Sequence, residues 1–158
     1  MTDRVTIRTA LLRDAPNLAV LSGVLGYPVV DETLALRLGN LLTRNEDIVL
    51  VVEVAPSQVV GWLHGAEQEL LESGRRCEIL GLVVDAVYRG QGVGRQLVAA
   101  VEEWAATRGL DQMVVRSNVV RTGSHPFYER LGYVRAKTQH AYRKQLTAHG
   151  PGFVARPA

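Results

Sequence analysis

Arg89-Gly90-Gln91-Gly92-Val93-Gly94-Arg95 places three glycines at alternate positions just ahead of an amphipathic stretch. Glycines so spaced leave backbone N–H groups uncovered, because no side chain stands between them and an incoming group. At the start of a helix those donors have no intrahelical partner, and the helix dipole adds partial positive charge. The chemistry expected is the cradling of an anion, above all a phosphate. The bland alternative is a glycine-rich surface turn that begins a helix. Spacing excludes two nucleotide motifs. A P-loop needs Gly-x-x-x-x-Gly-Lys-Ser/Thr, and the chain has no lysine before Lys137. A dinucleotide fingerprint needs Gly or Ala three residues after Gly92, where Arg95 stands. It should also follow its strand directly, whereas five residues separate Val84 from Gly90. Other reactive residues form no set. His125 sits beside Ser124, but adjacency along the chain is not a nucleophile–base pair. His64, His140 and His149 are too scattered for a metal site, and Cys77 is alone, so neither metal nor disulfide is expected.

A glycine loop of this kind needs a strand before it and a helix after it. Cys77 to Val84 reads as that strand. Val93, Leu97, Val101 and Trp104 or Ala105 share one helical face, and Gly109 closes the helix. Upstream, Val5 to Thr9 alternates as a strand, and Asp14 caps a helix carrying Leu18 and Leu21. Asp31 or Glu32 opens a second helix with Leu34, Leu38, Leu41 and Leu42. Ile48 to Val54 and Val59 to Glu69 read as strands around the turn Ala55-Pro56-Ser57-Gln58. Downstream come a strand at Met113 to Val115, a short helix at Phe127 to Leu131, and closing strands at Tyr133-Val134 and Ala141-Tyr142-Arg143. The fold class is α/β, or α+β by another convention: a mixed, mostly antiparallel sheet with helices on both faces. One domain over residues 1–146 is expected, followed by a tail, 147–158, containing Gly150, Pro151, Gly152 and Pro157.

Composition agrees with a single folded domain. Of the 158 residues 47% are hydrophobic, enough for a core and too many for a disordered chain. No apolar run approaches the ~20 residues of a membrane span, so no membrane association is expected. Met1-Thr2-Asp3-Arg4-Val5 has no signal-peptide pattern, and the expected location is cytoplasmic. Residues 1–115 hold ten Arg against fifteen Asp and Glu, whereas 116–145 hold seven Arg and Lys against Glu129 alone. Without interleaved aromatics suited to base stacking, that basic block reads as a solvated or phosphate-facing surface rather than a nucleic-acid site.

Arg89-x-x-Gly92-x-Gly94, preceded by Glu78-Ile79-Leu80-Gly81-Leu82-Val83-Val84, resembles the GCN5-related N-acetyltransferase (GNAT) superfamily. Asn118 and Phe127-Tyr128-Glu129-Arg130-Leu131-Gly132-Tyr133 resemble that family's second motif, with Ser124 where an Ala is usual. The resemblance implies an acetyl-CoA-dependent N-acetyltransferase, with a catalytically silent coenzyme A-binding sensor as the alternative. It implies that the backbone of Arg89, Gly90, Gln91, Gly92, Val93 and Gly94, with Arg95 nearby, holds the pyrophosphate. Leu82, Val83 and Val84 would pair with the pantetheine arm as an added strand. Asn118 would contact the pantetheine amide, and Gly81 would mark a bulge that splays the sheet.

Acetyl transfer to an amine by direct attack in a ternary complex needs a neutral amine and a protonated leaving thiolate. Tyr128, also close to the cofactor by this resemblance, is the candidate acid: a phenol of pKa about 10 lies above a thiol of about 8.5. Its alternative is a core aromatic beside Phe127. Glu78 is the candidate base, eleven residues before Arg89, or else an ion-pair partner of an Arg on the next strand. Glu67 and Glu69 share a strand face, and with Glu78 they would favour a cationic small-molecule or peptide amine; the alternative is an exposed acidic hairpin. Tyr27, in the Leu25 to Val30 loop, is a lid candidate over the acceptor. A homodimer is a further expectation from the resemblance.

Overall fold

Ile48 to Val54 is apolar at every position but Glu53, and such a run is stable only with both sheet faces covered. The computed structural model describes residues 4–117 and 124–147. It resolves the chain into two compact units, 1–118 and 119–158. The first contains five strands in the spatial order β1 (Val5–Thr9), β2 (Asp47–Val54), β3 (Gln58–Leu70), β4 (Gly74–Val84) and β5 (Met113–Val115). Neighbours from β1 to β4 are antiparallel, and β5 joins β4 in parallel. The sheet is therefore mixed and mostly antiparallel, as the sequence predicts.

Helices α1 (Ala15–Leu25) and α2 (Asp31–Leu42) cover one face. Leu18, Leu21 and Leu38 pack there against Val49, Val51 and Val83, with Trp62 at the margin. Helix α3 (Val93–Thr107) covers the other, its Leu97, Val98, Val101 and Ala105 fully buried. Side-chain alternation along β3 sorts the two faces. Trp62 turns toward α1 and α2, whereas Gly61 and Gly65 are approached by Leu97 and Val101 of α3. Asp14 departs from its expected role. It precedes α1 but makes no capping bond to it. Its carboxylate instead accepts from the Leu11 backbone N–H at 2.7 Å and from both Nη groups of Arg8 at 2.8 and 2.9 Å. A half-buried guanidinium fork outcompetes the helix N–H groups for the same oxygens.

In the second unit the expected short helix forms as α4 (Ser124–Arg130), closed by Gly132 at φ +92°. The strands expected at Tyr133-Val134 and Ala141-Arg143 do not form, and no described residue beyond α4 is in a helix or strand. Val134 and Tyr142 stand almost wholly in solvent. With Val134, Ala141, Tyr142 and Arg143 all exposed, these segments have no apolar face of the kind that makes a pleated strand stable.

Candidate active site

β4 is where the sheet loses continuity. Its pairing with β3 runs from Ile79↔Gly65 to Gly81↔His64, so Leu80 is an extra residue, a bulge beside the glycine that predicts one. Leu80 is 47% exposed. Gly81 is dictated by a neighbour: a Cβ there would lie 2.8–2.9 Å from Cζ3 and Cη2 of the Trp62 ring. β5 pairs with only Cys77, Glu78 and Ile79. Among the described residues, Leu80 to Val84 therefore has β3 along one edge and no strand along the other. Leu82, Val83 and Val84 all lie on this open edge. The Val83 side chain is buried in the core below α1 and α2, so its backbone is what the edge presents. An unpaired edge is a template for an extended ligand.

The edge runs directly into the glycine loop. Asp85 Oδ1 accepts from the Val87 N–H at 3.0 Å, starting a 3₁₀ turn at Ala86–Tyr88. Arg89 Nε donates to the Val84 carbonyl at 3.1 Å, and Gln91 Nε2 to the Val87 carbonyl at 3.2 Å. Both side chains thus brace the loop from within. Gly90 and Gly92 have φ of +77° and +81°, where a side chain costs about 1–2 kcal/mol. No side chain caps α3, so the N–H groups of Val93, Gly94 and Arg95 have no intrahelical acceptor. Val93 buries its side chain in the core. Arg95 bends back toward Gly92, where a Cβ would lie 3.6 Å from its Nη2. Uncovered donors, a helix dipole and one guanidinium meet at one place.

Glu78 lies on the face of the sheet that α1 and α2 cover, because its partner across β3 is Ala66, which alternates with Trp62 and His64. Its carboxylate is only 7% exposed and is flanked by two guanidiniums, Arg76 Nη2 at 3.5 Å and Arg116 Nη2 at 3.7 Å from Oε1. Glu67 faces the opposite way, since it is opposite Cys77. Arg75 and Arg108 both hold its carboxylate, the latter through Nη2 at 2.6 Å, and keep it well below the usual carboxylate range. Glu67 and Glu69 therefore do not share a face with Glu78, and Glu67 is already neutralised. Antiparallel register, invisible in any one strand, separates them. Cys77 is fully buried, and desolvation pushes its thiol up to about 11. Tyr27 is exposed in the α1–α2 connection, just after Gly26 at φ +104°.

Within the second unit, Tyr128 is half-buried on α4 and meets Phe127 and Tyr133 edge to face, with centroids at 5.0 and 5.8 Å. The Leu131 and Tyr133 N–H groups both donate to the Tyr128 carbonyl, fixing the turn around Gly132. Asn118 lies outside the described residues.

The profile described as Acetyltransferase (GNAT) family matches residues 17–133. This chain belongs to the GNAT acetyltransferase family. Glucosamine 6-phosphate N-acetyltransferase 1 of Oryza sativa subsp. japonica is 33% identical over 119 residues, which cover 71% of this chain and 68% of that protein. Aminoalkylphosphonate N-acetyltransferase of Salmonella typhimurium is 43% identical over 56 residues, 35% of this chain and 36% of that protein. Among solved structures, aminoglycoside N-acetyltransferase AAC(6')-Iy in complex with CoA shares the fold. Its TM-score is 0.83 at 19% identity, over 92% of this chain and 98% of that one.

Three residues around β4 escape sequence reasoning. Arg76 carries a usable signal, standing two positions before Glu78 and hence on its face of β4. Arg116 reaches Glu78 only through the β4–β5 pairing, which no local pattern encodes. Trp62 carries no such signal: its ring decides the residue type at Gly81, and its Nε1 is buried without a hydrogen-bond partner among the described residues.

Proposed function

We propose that this chain is an acetyl-CoA-dependent N-acetyltransferase acting on a primary amine of a small molecule or peptide. The observation that carries the reading is the open Leu80–Val84 edge of β4 running without interruption into the Gly90–Gly92 loop at the start of α3. The residues fit the co-substrate. An extended amide-bearing arm pairs with an unpaired strand edge, and a pyrophosphate needs the uncovered N–H groups at a glycine-opened helix start. Acetyl-CoA supplies the acetyl group as a thioester.

The backbone of Leu82, Val83 and Val84 orients the arm, and the N–H groups from Arg89 to Gly94, with the Arg95 guanidinium, hold the phosphates. The amine nitrogen bonds to the acetyl carbon as the carbon–sulfur bond breaks. The nitrogen gives up one proton to solvent water, and the sulfur takes one. Tyr128 is assigned the second transfer, on the family motif it occupies, and Asn118 a contact to the arm. Glu78, with two arginines around it, is better suited to holding those guanidiniums in place than to accepting the amine proton. Calorimetric titration with acetyl-CoA tests the reading: micromolar binding, abolished in Gly92→Glu, is expected. An unmodified protein that binds no acetyl-CoA would overturn it. Binding without acetylation of any amine in a broad panel would replace the enzyme with a coenzyme A sensor.

A further inference from the structure

Arg76 and Arg116 arrive at Glu78 from different strands, Arg76 along β4 and Arg116 from just past the end of β5. One carboxylate against two guanidiniums leaves the cluster with a net positive charge. The geometry shows that Glu78 does not occupy their donors. Both N···O distances, 3.5 and 3.7 Å, exceed those of charged hydrogen bonds, and Glu78 Oε1 has no hydrogen-bond partner among the described residues. Arg76 is steadied from the side instead, its Nε donating to Gln68 Oε1 at 3.2 Å. The carboxylate thus holds two guanidiniums together by charge, while their Nη groups have no hydrogen-bond acceptor among the described residues. Arg116 is 69% exposed, so a ligand reaches the pair from solvent.

The cluster sits on the sheet face that also carries Gly81 and Trp62, two residues along β4 from the bulge at Leu80 where the open edge begins. Asp47 shares this face, opposite Ala66, but its carboxylate is already held by Arg44 and His64, and Glu67 and Glu69 point the other way. Two planar forks converging from adjacent strands match the oxygens of a doubly charged tetrahedral anion better than a single carboxylate or an ammonium.

We infer that Arg76 and Arg116 form a subsite for a phosphoryl or phosphonyl group on the acceptor, so that the amine acetylated belongs to a small molecule carrying such a group. Glu78 is a positioning residue for the two arginines. The inference rests on the N-acetyltransferase reading, and its test separates the two.

The test compares acceptors that differ only in the anion: 2-aminoethyl phosphate, 2-aminoethanol, and the diamine cadaverine as a cationic control. Turnover is measured in the unmodified protein, Arg116→Gln and Arg76→Gln, and 2-aminoethyl phosphate is titrated calorimetrically into CoA-free and CoA-loaded protein. The expected kcat/KM for the phosphate-bearing amine exceeds that for 2-aminoethanol by roughly 10- to 100-fold, the size of one or two charged hydrogen bonds. Arg116→Gln, an exposed change that leaves the fold intact, raises the KM for 2-aminoethyl phosphate about tenfold with kcat nearly unchanged. It leaves 2-aminoethanol turnover and acetyl-CoA binding as they were. Equal or better use of 2-aminoethanol or cadaverine overturns the inference, as does an acceptor preference unmoved by both substitutions. Calorimetric binding of 2-aminoethyl phosphate that is lost in Gly92→Glu but kept in Arg116→Gln places the anion in the glycine loop and overturns it too. If acetyl-CoA fails to bind, the N-acetyltransferase reading falls, while titration with 2-aminoethyl phosphate still decides for or against the arginine pair.

Discussion

Asp14 shows how one side chain can be taken from its expected task by a stronger partner. Arg8 holds its carboxyl below the ordinary value near 3.9, with the Leu11 N–H adding to the effect. A carboxylate with a depressed folded pKa stabilises the fold above its unfolded pKa, and this contribution disappears as pH falls through the folded value. Glu53 and Glu67, also held low by arginines, add to the same trend. The melting temperature is therefore expected to be flat near neutrality and to fall progressively below about pH 4. Asp14→Asn should lose about 2–4 kcal/mol at pH 7 and show a shallower acid decline, both readable from thermal melts across pH. At Tyr128, removal of the phenol hydroxyl in Tyr128→Phe should lower kcat by roughly 10²- to 10⁴-fold while acetyl-CoA affinity is retained. Unchanged turnover on a genuine acceptor would return Tyr128 to a packing role beside Phe127 and Tyr133.

Strand β4 is the element on which most of the site depends, and its two halves do different work. Cys77, Glu78 and Ile79 are held between β3 and β5, so Glu78 is fixed in the sheet. Beyond the bulge one edge is free. The Trp62 ring lying across Gly81 holds this transition in place, and the space it fills admits no side chain. Trp62 is packed among α1 and α2 residues and has little room to yield. Gly81→Ala is expected to destabilise the protein by about 1–3 kcal/mol, as overpacking does. It should also weaken acetyl-CoA binding by disturbing the free edge. Denaturant melts and calorimetry on the one variant read both effects, and a neutral substitution would mean the indole moves freely. The glycine loop belongs to the same element boundary. Its Arg89 and Gln91 side chains hold the turn together from inside, which leaves Arg95 as the side chain positioned to meet an anion.

Over the whole molecule the two units differ in how much structure they carry. The first has a sheet covered on both faces, with Val51, Val52, Leu63 and Leu97 sealed from solvent. In the second, the described residues after α4 form no helix or strand. Amides between residues 135 and 146 are expected to exchange with solvent at least about a thousandfold faster than those of Val51, Val52 and Leu63. Strong protection there would instead mean that the segment takes a strand partner in solution, and sedimentation would then report whether that partner is a second copy.

What the sequence determined by itself is local. Apolar periodicity placed β1 to β5, α2 and α3 close to their observed limits, because each depends mainly on which face of a short segment is buried. The glycine loop was legible for a related reason: positive φ, as at Gly90 and Gly92 ahead of α3, strongly favours glycine for local steric reasons. The family resemblance, carried by that loop and the Tyr128 segment, was likewise readable along the chain and agrees with the matched residues 17–133. Only the tertiary structure decided which charges meet. Glu67, Glu69 and Glu78 look like one acidic group along the chain, and register sends them to opposite faces of the sheet. Arg116 and Arg108 reach their carboxylates across long stretches of sequence. Electrostatic pairing depends on distance in space, and one strand's alternation fixes the face of its own side chains without fixing what the neighbouring strand brings beside them.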